Sequence, residues 1–170
     1  MSVLPETSRG AFLQALDKYV GATAQDSSTL GLLLIDLTNL ASINHYHGYG
    51  AGDRLLEHAL QQLLNVSKLP DTVYRVGDHR FAFILPSLVN PAFITLALNR
   101  VNTILEQEVQ LESGLVVADF RMGVAINQHG ERDALSMLAL AESSLARVKK
   151  GESLRIEELL AGGDEEEVDY

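Results

Sequence analysis

Polar side chains that could do chemistry stand at three places in the sequence. Asp36 ends the apolar run 30–35, Asp53 ends a glycine-rich segment, and Lys149 lies in the last turn of a helical pattern. Ligand sites in α/β folds lie at the carboxyl ends of strands, so Asp36 is a candidate ligand residue, although an acid there caps the next helix as often. Lys149 could equally stabilise a helix dipole.

The segment before Asp53 and the neighbouring histidines suggest two further site types, and neither is well supported. A glycine-rich loop can cradle phosphate, but this one follows a helical pattern, whereas a dinucleotide fingerprint follows a strand. His45 and His47 are two residues apart, so they would not share a helix face, and no cysteine is present to complete a tetrahedral metal site. We interpret both histidines as solvated surface residues.

Composition indicates one globular domain and limits the partners. The chain has 170 residues, 46% of them hydrophobic, with a net charge of −10 and no cysteine. Seven acids and no base fall in residues 157–170, which leaves 16 acids and 13 bases in the first 156 residues. That near-neutral body argues against nucleic-acid binding, and the tail is expected to be a solvated acidic linker. No signal peptide or membrane-spanning run is evident, so we expect a cytoplasmic protein without membrane insertion.

The apolar pattern predicts alternating helices and strands. The run 30–35 is typical of a central strand buried on both faces. Two β-branched or aromatic runs flank Gly77 and Asp78, which predicts a hairpin with a two-residue turn. Helices are predicted over 5–20 (capped by Thr7 or Ser8), 40–46, 53–67 (capped by Asp53), 90–109 and 131–150, hairpin strands over 72–76 and 81–85, and an extended segment over 114–127.

The hairpin and its surroundings resemble the GGDEF family, which condenses two GTP into cyclic di-GMP. Of the five turn residues Gly77-Asp78-His79-Arg80-Phe81, the first and last match the family motif. The resemblance extends over residues 4–156 and depends on common spacing among Asp36, Asn44, Asp53, Arg75, Gly77, Phe81 and Lys149. It implies an α/β (α+β), nucleotidyl-cyclase-like domain over 1–156, with a central sheet of about five strands that includes an antiparallel hairpin and is flanked by helices.

The resemblance also implies roles for individual residues. Asp36 and the carbonyl of Leu37 take the places of magnesium ligands, and Asn44 and Asp53 take those that bind the guanine edge. Lys149 takes the place of a phosphate-binding lysine, whereas the arginine expected four residues later is Ser153. Gly77 and Arg80 complete the candidate nucleotide site. Lys68 and Asp71 take the place of the inhibitory product site, where arginine would be usual at the first position.

The departures argue against cyclase activity. Asp78, His79 and Arg80 stand where the family has a glycine and two acids, so the metal site is expected to be vestigial and no catalytic residue is assigned. Magnesium would be required only if the domain were active. We therefore expect an inactive regulatory module of a larger bacterial signalling protein that binds a guanine nucleotide, GTP or cyclic di-GMP. An active diguanylate cyclase and a ligand-free module for dimerisation or partner docking remain as alternatives.

Overall fold

The computed structural model describes residues 8–67, 69 and 71–154, which form alternating helices and strands. The helices are α1 Arg9–Asp26, α2 Leu40–His47, α3 Ala51–Ser67, α4 Phe93–Leu105 and α5 Ala134–Lys149. The strands are β1 Thr29–Leu37, β2 Val73–Arg75, β3 Arg80–Leu88, β4 Val109–Leu111, β5 Gly114–Val116 and β6 Phe120–Gln128. Four strands form an antiparallel sheet in the order β2-β3-β1-β6, and β4 and β5 form a separate hairpin.

Strand β1 is the centre of the fold. It lies between β3 and β6, and all nine of its residues are buried. Successive side chains of a strand point to opposite faces. Leu33, Ile35 and Leu37 accordingly pack with α3 and α4, whereas Leu30, Leu32 and Leu34 pack with α1 and α5. The predicted central strand is confirmed, and the architecture is a sheet between two layers of helices.

Several predicted boundaries were wrong. The predicted extended segment 114–127 divides between β5 and β6, and the predicted helix 90–109 ends at Leu105, so that residue 109 begins β4. The fold class itself is confirmed, with four strands in the main sheet and two more in a separate hairpin. Helix α1 continues to Asp26, beyond the predicted end at residue 20. Helix α3 begins at Ala51, which places Asp53 inside the first turn instead of at the cap. The hairpin loop covers 76–79, since the last paired residues of β2 and β3 are Arg75 and Phe81. The N–H of Val76 donates to the carbonyl of Arg80 and closes this loop.

Some predictions fall on residues outside the described ranges. These are the cap at Thr7, the product-site residue Lys68 and the acidic segment 157–170. Ser8 does precede α1, but its side chain makes no cap hydrogen bond, and its backbone N–H donates to the carbonyl of Arg75. Among the residues that are described, no helix combines the length and apolar character needed to cross a membrane.

Helix α5 lies directly on β6 at Gly123. A Cβ built there would be 2.4 Å from the backbone nitrogen of Leu145 and 2.5 Å from the carbonyl oxygen of Ala141. Nearby, the buried hydroxyl of Ser144 accepts a hydrogen bond from the N–H of Val124. The absence of a side chain at Gly123 therefore sets the distance between helix and sheet, and with it the position of the last turn of α5.

We predict that Gly123→Ala destabilises the protein strongly. The new methyl group would push α5 away from the sheet, an overpacking effect that costs about 1–3 kcal/mol or more. Chemical denaturation would measure the loss. Gly21→Ala is the matched control, since Gly21 is helical and nothing lies within 4 Å of a Cβ there. We expect the control to gain about 0.5–1 kcal/mol; equal effects of both substitutions would contradict the prediction.

Candidate functional site

Asp36 is a fully buried carboxylate at the end of the central strand. Its side chain is 0% exposed and accepts two hydrogen bonds from Arg80, from Nε to Oδ1 at 2.6 Å and from Nη2 to Oδ2 at 3.0 Å. The Nζ of Lys149 donates to Oδ2 as well. His79 Nε2 lies 3.8 Å from the same oxygen. One acid is thus shared by a guanidinium fork from β3 and an ammonium group from α5.

The charge of Asp36 is favoured by these partners. Burial by itself raises the pKa of a carboxyl group, because it penalises the ionised form. Here the hydrogen bonds and the positive charges of Arg80 and Lys149 outweigh burial and lower the pKa of Asp36 below its usual value. The same contact with Asp36, despite partial burial, raises the pKa of Arg80. Both groups of the pair are therefore ionised at neutral pH.

Strand pairing explains why Arg80 reaches Asp36. The two residues are directly opposite each other in the antiparallel pair of β1 and β3, so their side chains project from the same face. The loop before Arg80 is braced by Arg75, which donates to the carbonyls of Gly77 and Asp78. Gly77 has no close neighbour that would exclude a side chain, since a Cβ there would be 3.6 Å from that of Arg80.

The residues around Asp36 do not fit a magnesium ion. Magnesium requires hard oxygen ligands in near-octahedral geometry. Both oxygens of Asp36 are already used by cations, and the nearest side chains from the hairpin are an imidazole and a guanidinium. The backbone N–H of Leu37 donates to the carbonyl of His79, which fixes the loop in this position. Within the described ranges, no cluster of three or more histidines and acids could hold a metal ion.

Asn44 and Asp53, the candidate guanine-binding pair, are brought together by the packing of α2 against α3. Asn44 Oδ1 accepts a hydrogen bond of 2.7 Å from the N–H of Gly52. Asn44 is exposed, and the described part of the chain offers its Nδ2 no hydrogen-bond partner. Asp53 is exposed in the first turn of α3. The pair therefore offers one amide donor and one carboxylate acceptor to the solvent.

Sequence reasoning missed one cation of this region. Arg121 is directly opposite Asp36 on the other neighbouring strand, β6, and its side chain is 44% exposed. Its Nη1 donates to Asp119 Oδ1 at 3.0 Å and to the carbonyl of Phe120. Asp119 also accepts from Thr38, and this bond contributes most to lowering its pKa. Only the register of β1 with β6 reveals Arg121, and the sequence carries no marker of that register.

Asp71, the other retained acid of the predicted product site, is engaged by α1. The phenol of Tyr19 donates to Asp71 Oδ1 at 2.7 Å, and Lys18 Nζ lies 3.9 Å from Oδ2. Partial burial, together with this bond to Asp71, raises the pKa of Tyr19 to about 12. The carboxylate that would bind a ligand at this position therefore joins the leading helix to the loop before β2.

Comparison with known proteins agrees with this architecture. The family model described as "Diguanylate cyclase, GGDEF domain" matches residues 7–155, so the chain belongs to the GGDEF family. The GGDEF domain of YfiN (TpbB) from Pseudomonas aeruginosa superposes with a TM-score of 0.79 at 22% identity, covering 89% of this chain and 94% of that one. A sensory box/GGDEF protein from Caulobacter crescentus gives 0.78 at 23% identity, covering 85% and 93%.

The chain is also similar to a domain solved with a bound ligand and to parts of longer proteins. The GGDEF domain of DgcB from Caulobacter crescentus, solved in complex with c-di-GMP, superposes with a TM-score of 0.75 at 21% identity over 86% of this chain and 87% of that one. An uncharacterized protein, y4lL of Sinorhizobium fredii, is 25% identical over 125 residues, or 74% of this chain. This chain spans only 15% of y4lL and 22% of an uncharacterized membrane protein of Staphylococcus saprophyticus that it also matches.

We predict that Asp36→Asn destabilises the fold in a pH-dependent way. Removing the charge leaves Arg80 and Lys149 without their shared carboxylate, a loss of about 3 kcal/mol or more at pH 7. Because the pKa of Asp36 is lowered by folding, the stabilisation is complete above the unfolded-state value of about 3.9 and disappears as the pH falls through the folded-state value.

Denaturation of both proteins between pH 7 and pH 2 would test this prediction. The difference between the wild type and Asp36→Asn should narrow only on the acid side of about pH 4. Asp17→Asn is the control, since Asp17 is an exposed acid on α1, and we expect its effect to stay within about 0.5 kcal/mol. A constant difference between the wild type and Asp36→Asn over the whole range would contradict the assignment.

We predict that cyclic di-GMP binds through Asp71 no tighter than the high micromolar range, about −5 to −6 kcal/mol. A ligand there must compete with Tyr19 and Lys18 for the carboxylate. Isothermal titration calorimetry would measure the affinity. Tyr19→Phe frees one carboxylate oxygen, so it should leave the affinity unchanged or raise it. A sub-micromolar affinity that Asp71→Ala abolishes would show that the product site is intact.

Proposed function

We propose that this chain is a catalytically inactive GGDEF module that binds a guanine nucleotide without magnesium and regulates cyclic di-GMP signalling in a larger protein. The observation that carries the proposal is the occupation of Asp36 by Arg80 and Lys149. A metal ion at this carboxylate would have to displace the fork of Arg80 or lie beside two positive charges.

Electrostatics supports the loss of the metal. A unit positive charge about 4 Å from a divalent ion is repelled by roughly 8 kcal/mol at an effective dielectric constant near 20. Arg80 places such a charge beside the carboxylate, and Lys149 adds a second. Phosphoryl transfer to a nucleotide hydroxyl needs metal ions to neutralise the charge that develops on the phosphates. In the proposed site no metal ion is available for this role.

Nucleotide binding is supported by groups that are separate from the metal site. Guanine presents an acceptor oxygen beside two N–H donors, which matches an amide donor next to a carboxylate. The Nδ2 of the exposed Asn44 and the exposed carboxylate of Asp53 provide this pattern. Neither residue contacts Asp36, so the guanine-binding side can persist when the metal site is lost.

A ligand-free docking module is the second candidate. The observation that favours it is that Asp36 and Asp71 are both satisfied inside the protein, by Arg80 and by Tyr19. In that case the remaining polar groups are relics, and the domain acts through its surface alone. Binding of GTP decides between the two candidates.

We predict that GTP binds with the same affinity in magnesium and in EDTA, and that no cyclic di-GMP is formed. Calorimetry gives the affinities, and a cyclase assay on a forced dimer with GTP and magnesium or manganese gives the activity. Product from the unmodified chain would refute the proposal of inactivity. Absence of GTP binding under both conditions would favour the docking module instead.

A reversal variant tests the explanation itself. Asp78→Gly, His79→Asp and Arg80→Glu together replace the guanidinium fork with an acid, so that among the described residues Lys149 is the one cation left on Asp36. We expect this variant to make GTP binding dependent on magnesium. The control is His79→Asp alone, which leaves the fork of Arg80 in place and should remain indifferent to magnesium. If the triple variant also ignores magnesium, the ion pair is not what excludes the metal.

A further inference from the structure

The face of the sheet beside Asp36 carries an arginine whose main binding edge is unused. Arg121 donates only through Nη1, to Asp119 Oδ1 and the carbonyl of Phe120. Its Nε and Nη2 have no protein partner in the part of the chain that the structure describes. These two nitrogens form the edge that binds both oxygens of a phosphate or carboxylate in parallel. Because Nη1 is held by Asp119 and Phe120, the guanidinium is already oriented, and its Nε and Nη2 can bind an oxyanion.

The register of β6 places Arg121 in the same site as the other cations. Arg80 and Arg121 are both directly opposite Asp36, one on each neighbouring strand, so all three side chains begin on the same face. Helix α5 crosses this face with Ala141 and Leu145 at Gly123. Arg121 lies two residues before Gly123 on β6, and Lys149 lies one helical turn after Leu145 on α5. Both steps lead towards the end of β1. Three cations from three elements thus surround the end of β1.

Only part of this positive charge is consumed. Arg80 and Lys149 share the buried Asp36, and Arg80 Nη1 is 3.9 Å from Glu142, longer than a hydrogen bond. The side chains of Arg80 and Lys149 remain 29% and 38% exposed. Arg121 is paired with Asp119. It makes no hydrogen bond to Asp36, so Arg121 can bind a ligand through Nε and Nη2 without breaking a bond to that carboxylate.

We propose that Arg121 is a phosphate-binding residue: its Nε and Nη2 hold the phosphate groups of the nucleotide, next to Lys149 and Arg80. This inference rests on the proposed nucleotide-binding function and adds the residue that recognises the phosphates. It accounts for phosphate binding in a site whose carboxylate is closed to metal ions, since a guanidinium neutralises phosphate charge without a metal.

Calorimetry on the whole chain in EDTA tests this proposal with three probes: inorganic tripolyphosphate, GTP and guanosine. Arg121→Gln should weaken tripolyphosphate and GTP about tenfold or more, because it removes two charge-assisted hydrogen bonds. Guanosine binding should not change. Arg147→Gln is the matched control, because it removes the same charge from an exposed residue of α5 that does not share the sheet-facing side of Leu145. We expect an effect of at most about twofold from this control.

Arg121→Lys distinguishes the contribution of the two-pronged hydrogen bonding of arginine from that of its positive charge. It keeps the positive charge, and we expect it to fold normally and to bind tripolyphosphate clearly more weakly than the wild type. Melting temperatures of all variants should agree within a few degrees, since the bond to Asp119 is exposed. The side-chain Nε–H resonance of Arg121, assigned by its absence from Arg121→Gln, should shift when tripolyphosphate is added.

The outcomes distinguish this inference from the proposed function. Tripolyphosphate binding that needs Arg121, without guanosine or GTP binding, would support the phosphate site and overturn the guanine-nucleotide function. GTP binding that Arg121→Gln leaves intact would support the function and overturn the role of Arg121. If Arg147→Gln weakens tripolyphosphate binding as much as Arg121→Gln does, the effect comes from net charge alone, and the role of Arg121 is overturned. Absence of binding to all three probes overturns both.

Discussion

The burial of one carboxylate constrains the rest of the structure. Strand β1 is covered by helices on both faces along its whole length, so the acid at its end has no access to water. An ionised group in such a place must be paired and hydrogen-bonded, or the cost of removing it from water would unfold the domain. Arg80 and Lys149 meet this need, and in doing so they join β3 and α5 to the end of the central strand.

This internal pairing separates recognition from chemistry. The two oxygens of Asp36 accept from a guanidinium and an ammonium group, so a metal ion there would have to displace these groups or lie beside their positive charges. The groups that could recognise guanine lie on α2 and α3 and take no part in the hydrogen bonds to Asp36. In the function that we propose, Arg80 excludes the metal ion, and the residues on α2 and α3 still bind the nucleotide.

Asp71 shows the same use of a charged side chain in a second place. Its carboxylate accepts from Tyr19 and lies near Lys18, so it fastens α1 to the edge of the sheet beside β2. The backbone bond from Ser8 to Arg75 and the contact of Phe12 with Tyr74 reinforce that attachment. Acids that a sequence motif assigns to ligands thus contribute to the packing of helices. The presence of such an acid in the sequence is weak evidence that it binds a ligand.

The sequence by itself determined most of the order of elements, the buried central strand and the family, because apolar periodicity and motif spacing are local properties of the chain. It missed β4, which begins at the end of the predicted helix 90–109. It also identified Asp36 as a vestigial metal ligand and Arg80 and Lys149 as candidate nucleotide-binding residues. Only the tertiary structure decided that the two cations close on Asp36, that Arg121 stands opposite it and that Tyr19 occupies Asp71. These contacts join residues 44 to 113 positions apart in the chain, or depend on strand register. No local pattern specifies them, because they arise only when the sheet and its helices have packed.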